Sequence, residues 1–192
     1  MHKASITSSP SGVMMDSIPI VEHLDKVFPS PPFFPSGDAS YALMVAVNSL
    51  MGRLRTVFMT MVVPRVPEHL DPRGQEYFVR TRSEAFGKPL SEVRPKDEKS
   101  LQEGWQAIEE VCMPLTKMLK GREGKKGPFF EGETAGYADL LLASFLAFFH
   151  RIEPDLWEKM MKLGDGELKA LWDATSQWVD GQGEEKEWPI PQ

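Results

Sequence analysis

Between Phe129 and Arg151 the chain reads FFEGETAGYADLLLASFLAFFHR. A polar, glycine-containing turn runs straight into a segment that would be apolar on nearly every side of a helix. Such a helix belongs at the centre of a helical domain, wrapped by others. It is too short, and too closely flanked by charge, to span a bilayer. One carboxylate, Asp139, falls in its first turn, three residues after Gly136. There an acidic side chain reaches back to the free N–H groups of the helix start. A buried carboxylate must be hydrogen-bonded to be tolerated, so Gly136 and Asp139 are expected to cap the fold's central helix rather than to perform chemistry.

The 192 residues suit one domain, or one domain plus a fragment. A net charge of −6 speaks against nucleic acid as the principal partner, because phosphate binding wants a basic surface. The dense basic run Lys120–Lys126 is expected to be an exposed loop between helices. The single cysteine, Cys112, excludes an internal disulfide and fits a reducing compartment; its apolar neighbours Val111, Met113 and Leu115 predict a buried structural thiol. Met1–Gly12 has no apolar run like a signal peptide, and no stretch is long and apolar enough for a transmembrane helix, so the expected location is cytoplasmic, with no membrane partner. His2, His23, His69 and His150 lack metal-ligand spacing, and no metal site is expected.

Met1–Pro10 reads as a loose leader and Gly12–Met15 as a strand end. Ser17–Phe28 has Ile20, Val21, Leu24, Val27 and Phe28 on one helical face, and Ser17 is placed to cap it. Pro29–Pro35 is a linker. A long helix over Ala39–Val62 buries Leu43, Val47, Leu50, Leu54, Val57, Phe58 and Met61, which recur at spacings of three and four. Further helices are expected over Asp71–Phe86, Pro95–Lys120, Pro154–Lys162 and Glu167–Val179, followed by a polar tail that ends in Trp188-Pro-Ile-Pro. Residues 1–35 and 36–192 therefore form two units, and the fold class is essentially all-α.

The Phe129–Arg151 segment resembles the central helix of the C-terminal domain of glutathione transferases, where the turn usually reads Ser/Thr-x-x-Asp; here Gly136 stands at the cap. VMMDSIPIVEHLDKVFP, residues 13–29, resembles the last strand and helix of the thioredoxin-like half of that family. The segments Gln75–Leu90, Trp105–Glu110 and Pro128–Gly132 narrow the likeness to fungal members similar to bacterial β-aryl etherases, which often accompany secondary-metabolite enzymes. The resemblance implies an all-α bundle of the glutathione-transferase C-terminal type, preceded by a short remnant of the thioredoxin-like domain. It implies glutathione as cosubstrate, a hydrophobic electrophile as substrate, and a homodimer as one assembly. It assigns the γ-glutamyl carboxylate to Ser17 and the region of the ammonium to Asp16. Physically, a helix N-terminus presents free N–H groups and a favourable dipole to a carboxylate. The rival reading is that Ser17 simply caps its helix.

The family's catalytic Ser, Tyr or Cys and its cis-proline precede the matched region, so the chain looks N-terminally truncated and its catalytic residue is unknown. Ser5, Thr7, Ser8 and Ser9 have no strand–turn–helix context to replace it. On the first long helix, Tyr41, Met44, Asn48, Met51 and Arg55 are expected to form a second stripe, either a wall of the electrophile pocket or a bared surface. The resemblance thus implies conjugation of glutathione to, or thiolytic cleavage of, a hydrophobic electrophile. The alternatives are a non-catalytic member that binds a hydrophobic molecule or a protein, and an incomplete gene product.

Overall fold

The computed structural model describes residues 6–9 and 12–179, with side chains from Val13 onward. The expectations for Met1–Ser5 and for the tail beyond Val179 lie outside the described residues. Strands β1 (Ile6–Ser9) and β2 (Gly12–Met15) pair antiparallel, with Ile6 opposite Met15 and Ser9 opposite Gly12. The part of the leader over residues 6–9 is thus a strand rather than loose chain. Ile-Thr-Ser-Ser carries little side-chain pattern, and its pairing rests on backbone hydrogen bonds to the strand that follows.

Helix α1 (Ser17–Val27) follows β2 directly. The linker after it is tied at both ends. Phe33 N–H donates to Asp25 Oδ1 at 2.6 Å, and Phe33 O accepts from Tyr137 N–H at 2.8 Å.

The long helix expected over Ala39–Val62 is not continuous. Helix α2 (Asp38–Gly52) tightens at its end, where the amides of Arg53 and Leu54 donate to the carbonyls of Leu50 and Met51. A short helix α3 (Arg55–Val57) leads into a wider-wound turn over Phe58–Val62 and a tighter one over Val63–His69. The axis bends by 50° between Asp38–Gly52 and Arg55–His69. Gly52 weakens the helix at the break, and Pro64 and Pro67 have no N–H to continue a regular ladder. The apolar period survives the bend: Val47, Leu54 and Met61 are buried, while Leu43, Leu50, Val57 and Phe58 are half-buried against the same core.

Helix α4 (Pro72–Phe86) starts where Asp71 Oδ1 accepts from the amides of Arg73 and Gly74, both at 3.0 Å, and stops at the left-handed Gly87. Helix α5 (Glu98–Lys120) is capped by Asp97, whose Oδ1 accepts from Ser100 N–H at 2.8 Å. That bond holds the Asp97 carboxyl below its usual range.

Helix α6 (Tyr137–Ile152) is the axis of the bundle. It packs against α2, α7 (Pro154–Met160) and α8 (Glu167–Val179). Leu142, Leu146 and Phe149 on α6 meet Ile108, Cys112 and Leu115 of α5 and Leu168 and Leu171 of α8 in one core. Each fully buried aliphatic side chain contributes about 1.5–3 kcal/mol relative to exposure. No single helix among the described residues is long and apolar enough to cross a membrane.

At the α6–α7 joint, Glu153 is buried and holds two arginines. Arg94 forks onto both its carboxylate oxygens and also donates to the carbonyl of Met61, in the wide turn; Arg65 reaches Oε2 at 3.3 Å. This cluster ties the irregular region after α3 to the far end of the central helix.

Candidate functional site at the β2–α1 junction

The site is built where β2 stops and α1 begins. Asp16 is at the N-cap position with φ 72° and ψ 142°. It has the only non-glycine positive φ among the described residues. Such backbone costs on the order of 1–3 kcal/mol and persists where the surroundings impose it. Ser17 is the first helical residue, not the cap, and no side chain caps α1. This corrects the expectation that the Ser17 hydroxyl caps its own helix.

The consequences are chemical. Asp16 and Ser17 are both exposed, so their side chains face solvent at the positive end of the α1 dipole. Pro19 has no N–H, and Ile20 N–H is taken by Asp16 O at 3.3 Å. The first-turn amides of α1 that neither the proline nor this bond accounts for are those of Ser17 and Ile18, with the Ser17 hydroxyl next to them in the chain. That set matches the lone pairs of one carboxylate, and Asp16 supplies a negative charge adjacent to it.

The second stripe is only partly assembled. Met44 is fully buried in the core and takes no part in a pocket wall; the spacing that put it beside Tyr41 also turns it toward α6. Met51 is half-buried against that core. Tyr41 and Asn48 are exposed on α2. Arg55 is exposed beyond the break, on α3, so it does not continue their line.

Tyr41 instead faces α1. It borders an open cavity of about 470 Å³ with Glu22, Asp25 and Lys26 on one side and Phe34 and Asp38 on the other. Phe34 packs on Tyr41 at a ring-centroid distance of 5.9 Å and on Tyr137 at 6.2 Å. That α1 and the linker form the facing wall is not among the expectations from the sequence. The sequence signal for this wall is the Pro-Pro-Phe-Phe-Pro run, residues 31–35, whose aromatic rings pack on Tyr41 and Tyr137.

At the other end of the linker, Gly136 is the N-cap of α6. Asp139 Oδ2 accepts from Gly136 N–H at 2.8 Å and Oδ1 from Phe130 N–H at 2.9 Å. Gly136 has no side chain, so the reciprocal bond is made by backbone: Asp139 N–H donates to Gly136 O at 3.1 Å. Burial pushes the Asp139 carboxyl above its usual range despite these two donors. The Ser40 hydroxyl ties this region to α2 by donating to Glu131 Oε2 at 2.7 Å and accepting from Ser36 N–H at 2.8 Å.

Cys112 is fully buried, and burial pushes its thiol up to about 12. It is no nucleophile at neutral pH. Among the described residues no cluster of three or more His, Cys, Asp or Glu is placed to hold a metal ion.

Residues 42–178 match the family model for the glutathione S-transferase C-terminal domain. The glutathione S-transferase-like protein ustS of Aspergillus flavus is 54% identical over 196 residues, covering 100% of this chain and 70% of that one. Among solved structures, glutathione transferase GSTFuA3 of Phanerochaete chrysosporium is 27% identical with a TM-score of 0.73, over 92% of this chain and 70% of that one. A glutathione S-transferase of Ceriporiopsis subvermispora, solved in complex with glutathione, shares the fold at 23% identity with a TM-score of 0.75, over 92% and 72%. Its glutathione is a property of that protein. The family match covers the helical bundle and the 54% relative extends it through the β2–α1 junction: the chain belongs to the glutathione transferase family.

Proposed function

We propose that the β2–α1 junction binds glutathione, with the γ-glutamyl carboxylate on the amides of Ser17 and Ile18 and the Ser17 hydroxyl, and the ammonium beside Asp16. The observation that carries this reading is the strained, exposed Asp16 ahead of a helix start that no side chain caps. The protein then acts as a glutathione transferase-like protein toward a hydrophobic electrophile. The sulfur of glutathione forms a bond to the electrophilic carbon, the leaving group departs with its electron pair, and the thiol proton passes to solvent. Tyr41, Asn48, Met51 and Arg55 are the α2–α3 residues offered for the electrophile's side. Cys112 is excluded as nucleophile by its burial. The same reading includes a cytosolic location, which keeps Cys112 a thiol, and a homodimer that covers the exposed Val45 of α2.

Calorimetry with glutathione tests the site. Ser17→Ala is expected to weaken binding by about 1–3 kcal/mol, the scale of a charge-assisted hydrogen bond lost. Unchanged affinity removes the site. Saturable binding without turnover of any electrophile would make the protein a non-catalytic member that retains the carboxylate site.

A further inference from the structure

Val62 and Val63 are adjacent in the chain and buried in different cores. Val62 belongs to the bundle. Val63 packs with Leu90 and Val93 in a small second core, ringed by Phe58, Met59, Phe78 and Phe86. Helix α4 buries none of its residues completely. It rests on the tight turn Val63–His69 and on a single further turn, Leu90–Glu92. Within this group Ser83 Oγ accepts from Leu90 N–H at 3.0 Å, and Lys88 Nζ donates to Glu92 O at 3.0 Å. The residues from Val63 to Arg94 thus form a lobe with a core of its own. Three buried side chains make that core, against 24 in the bundle, so the lobe is the part that opens at the lower free energy.

The lobe meets the far end of α6 through charge. The Glu153 side chain is 3% exposed there, and both its cationic partners, Arg65 and Arg94, come from the lobe. Arg94 also donates to Met61 O, at the boundary between the two cores. Closed, the carboxylate is paired. Open, water replaces the two guanidinium groups, because both leave together and uncover the site. An ion pair taken out of water has little net stability of its own, so this joint releases without stranding a charge. The chain is irregular on either side of the lobe: the wide-wound turn Phe58–Val62 precedes it, and Pro95 and Lys96, which belong to no helix, follow it. Such segments absorb the backbone rotation of a hinge.

We propose that Val63–Arg94 opens as a unit, with Glu153 as its latch. Opening bares Val63, Leu90 and Val93 together with the lobe side of Phe58, whose ring also rests on Phe148 at 5.0 Å. The lobe thereby gates an apolar surface beside α3. The proposal does not depend on the glutathione reading.

Amide hydrogen exchange of the full chain in dilute denaturant tests it. The amides of α4 and of Leu90–Glu92 are expected to exchange through one shared opening, with a smaller denaturant slope than the amides of α6. Glu153→Gln should speed exchange in α4 by about tenfold or more, the effect of losing a charge-assisted hydrogen bond. It speeds α6 as well, since global unfolding also breaks the latch, so the discriminating variant is Ile108→Val in the bundle core. That change should speed α6 and leave α4 as it was. Equal acceleration of both would mean that α4 is released only when the whole chain unfolds, and overturns the proposal. No change in α4 on Glu153→Gln would mean that the helix frays without breaking the latch, and also overturns it. Leu90→Ala, which trims the lobe's core from the other side, should speed α4 in the same way, and a lobe indifferent to it is no unit.

Discussion

Asp139 and Phe130 are nine positions apart, and the carboxylate of one accepts the backbone N–H of the other at 2.9 Å. Through this bond the turn before α6 is fastened to the helix that forms the axis of the bundle, and the turn in turn holds Glu131 on Ser40 of α2.

Asp139→Ala leaves two buried amides, those of Phe130 and Gly136, without acceptors. At about 1–3 kcal/mol for each unsatisfied buried donor, this is expected to be among the most damaging substitutions in the chain. Chemical denaturation measures it. Asp139→Asn keeps one acceptor and should be milder.

The pH dependence of Asp139 has a definite sign. Its folded-state carboxyl lies above the usual range because burial outweighs its hydrogen bonds. The folded state therefore holds the proton more tightly than the unfolded state. The stability this provides is present below the unfolded value, near 3.8, and is lost as pH rises through the folded value. The stability advantage of the natural protein over Asp139→Asn should shrink as pH is raised from the unfolded value near 3.8 through the folded one. Asp97 runs oppositely: its lowered carboxyl adds stability above the unfolded value that disappears on acidification. An advantage over Asp139→Asn that grows on raising pH would contradict the burial argument.

Glu153 is held by Arg94 and Arg65 in a buried joint. Glu153→Leu removes the carboxylate from two part-exposed guanidinium groups and is expected to destabilise by about 1–3 kcal/mol, less than breaking a fully buried pair because both arginines reach solvent. Combining it with Arg94→Met should recover part of that loss, because well-packed apolar replacements of a buried pair are often neutral. A double variant no better than the single one would show that Arg94 matters for the Met61 carbonyl rather than for Glu153.

Cys112 should be silent toward thiol reagents. Its thiol is pushed up to about 12 by burial, so at neutral pH the thiolate is scarce and also inaccessible. Reaction with a disulfide reagent is expected to track global unfolding as denaturant is added. Fast labelling of the folded protein would mean that α5 opens locally.

Much of this architecture was legible in the sequence because helices announce themselves by period and punctuation. The helices expected over Asp71–Phe86 and Pro95–Lys120, and the all-round apolar α6, match what the structure shows to within a few residues at their ends. The failures have physical causes. Period alone carried the helix of residues 39–62 across Gly52, because an apolar stripe can bend without losing its face. Met44 looked like a pocket residue because three-residue spacing from Tyr41 does not say which of two adjacent faces meets the core. Residues 6–9 pair through their backbone, which leaves little trace in side-chain pattern. At the candidate site the Asp16-Ser17 pair was visible, but the positive φ of Asp16 was not, since a dihedral set by the following helix has no compositional signature.

That dihedral allows stability and binding to be separated. Glycine takes positive φ without the steric penalty that Asp16 bears, so Asp16→Gly is expected to relieve local strain and to raise the melting temperature by a few degrees, offset in part by the greater freedom of glycine in the unfolded chain. The same change removes the carboxylate assigned to the ammonium of glutathione and should weaken glutathione binding, by about 1–3 kcal/mol, in the protein it stabilises. A purely structural junction would show the gain in stability alone. Thermal denaturation and calorimetry on the one variant therefore decide whether the strain at Asp16 serves a ligand.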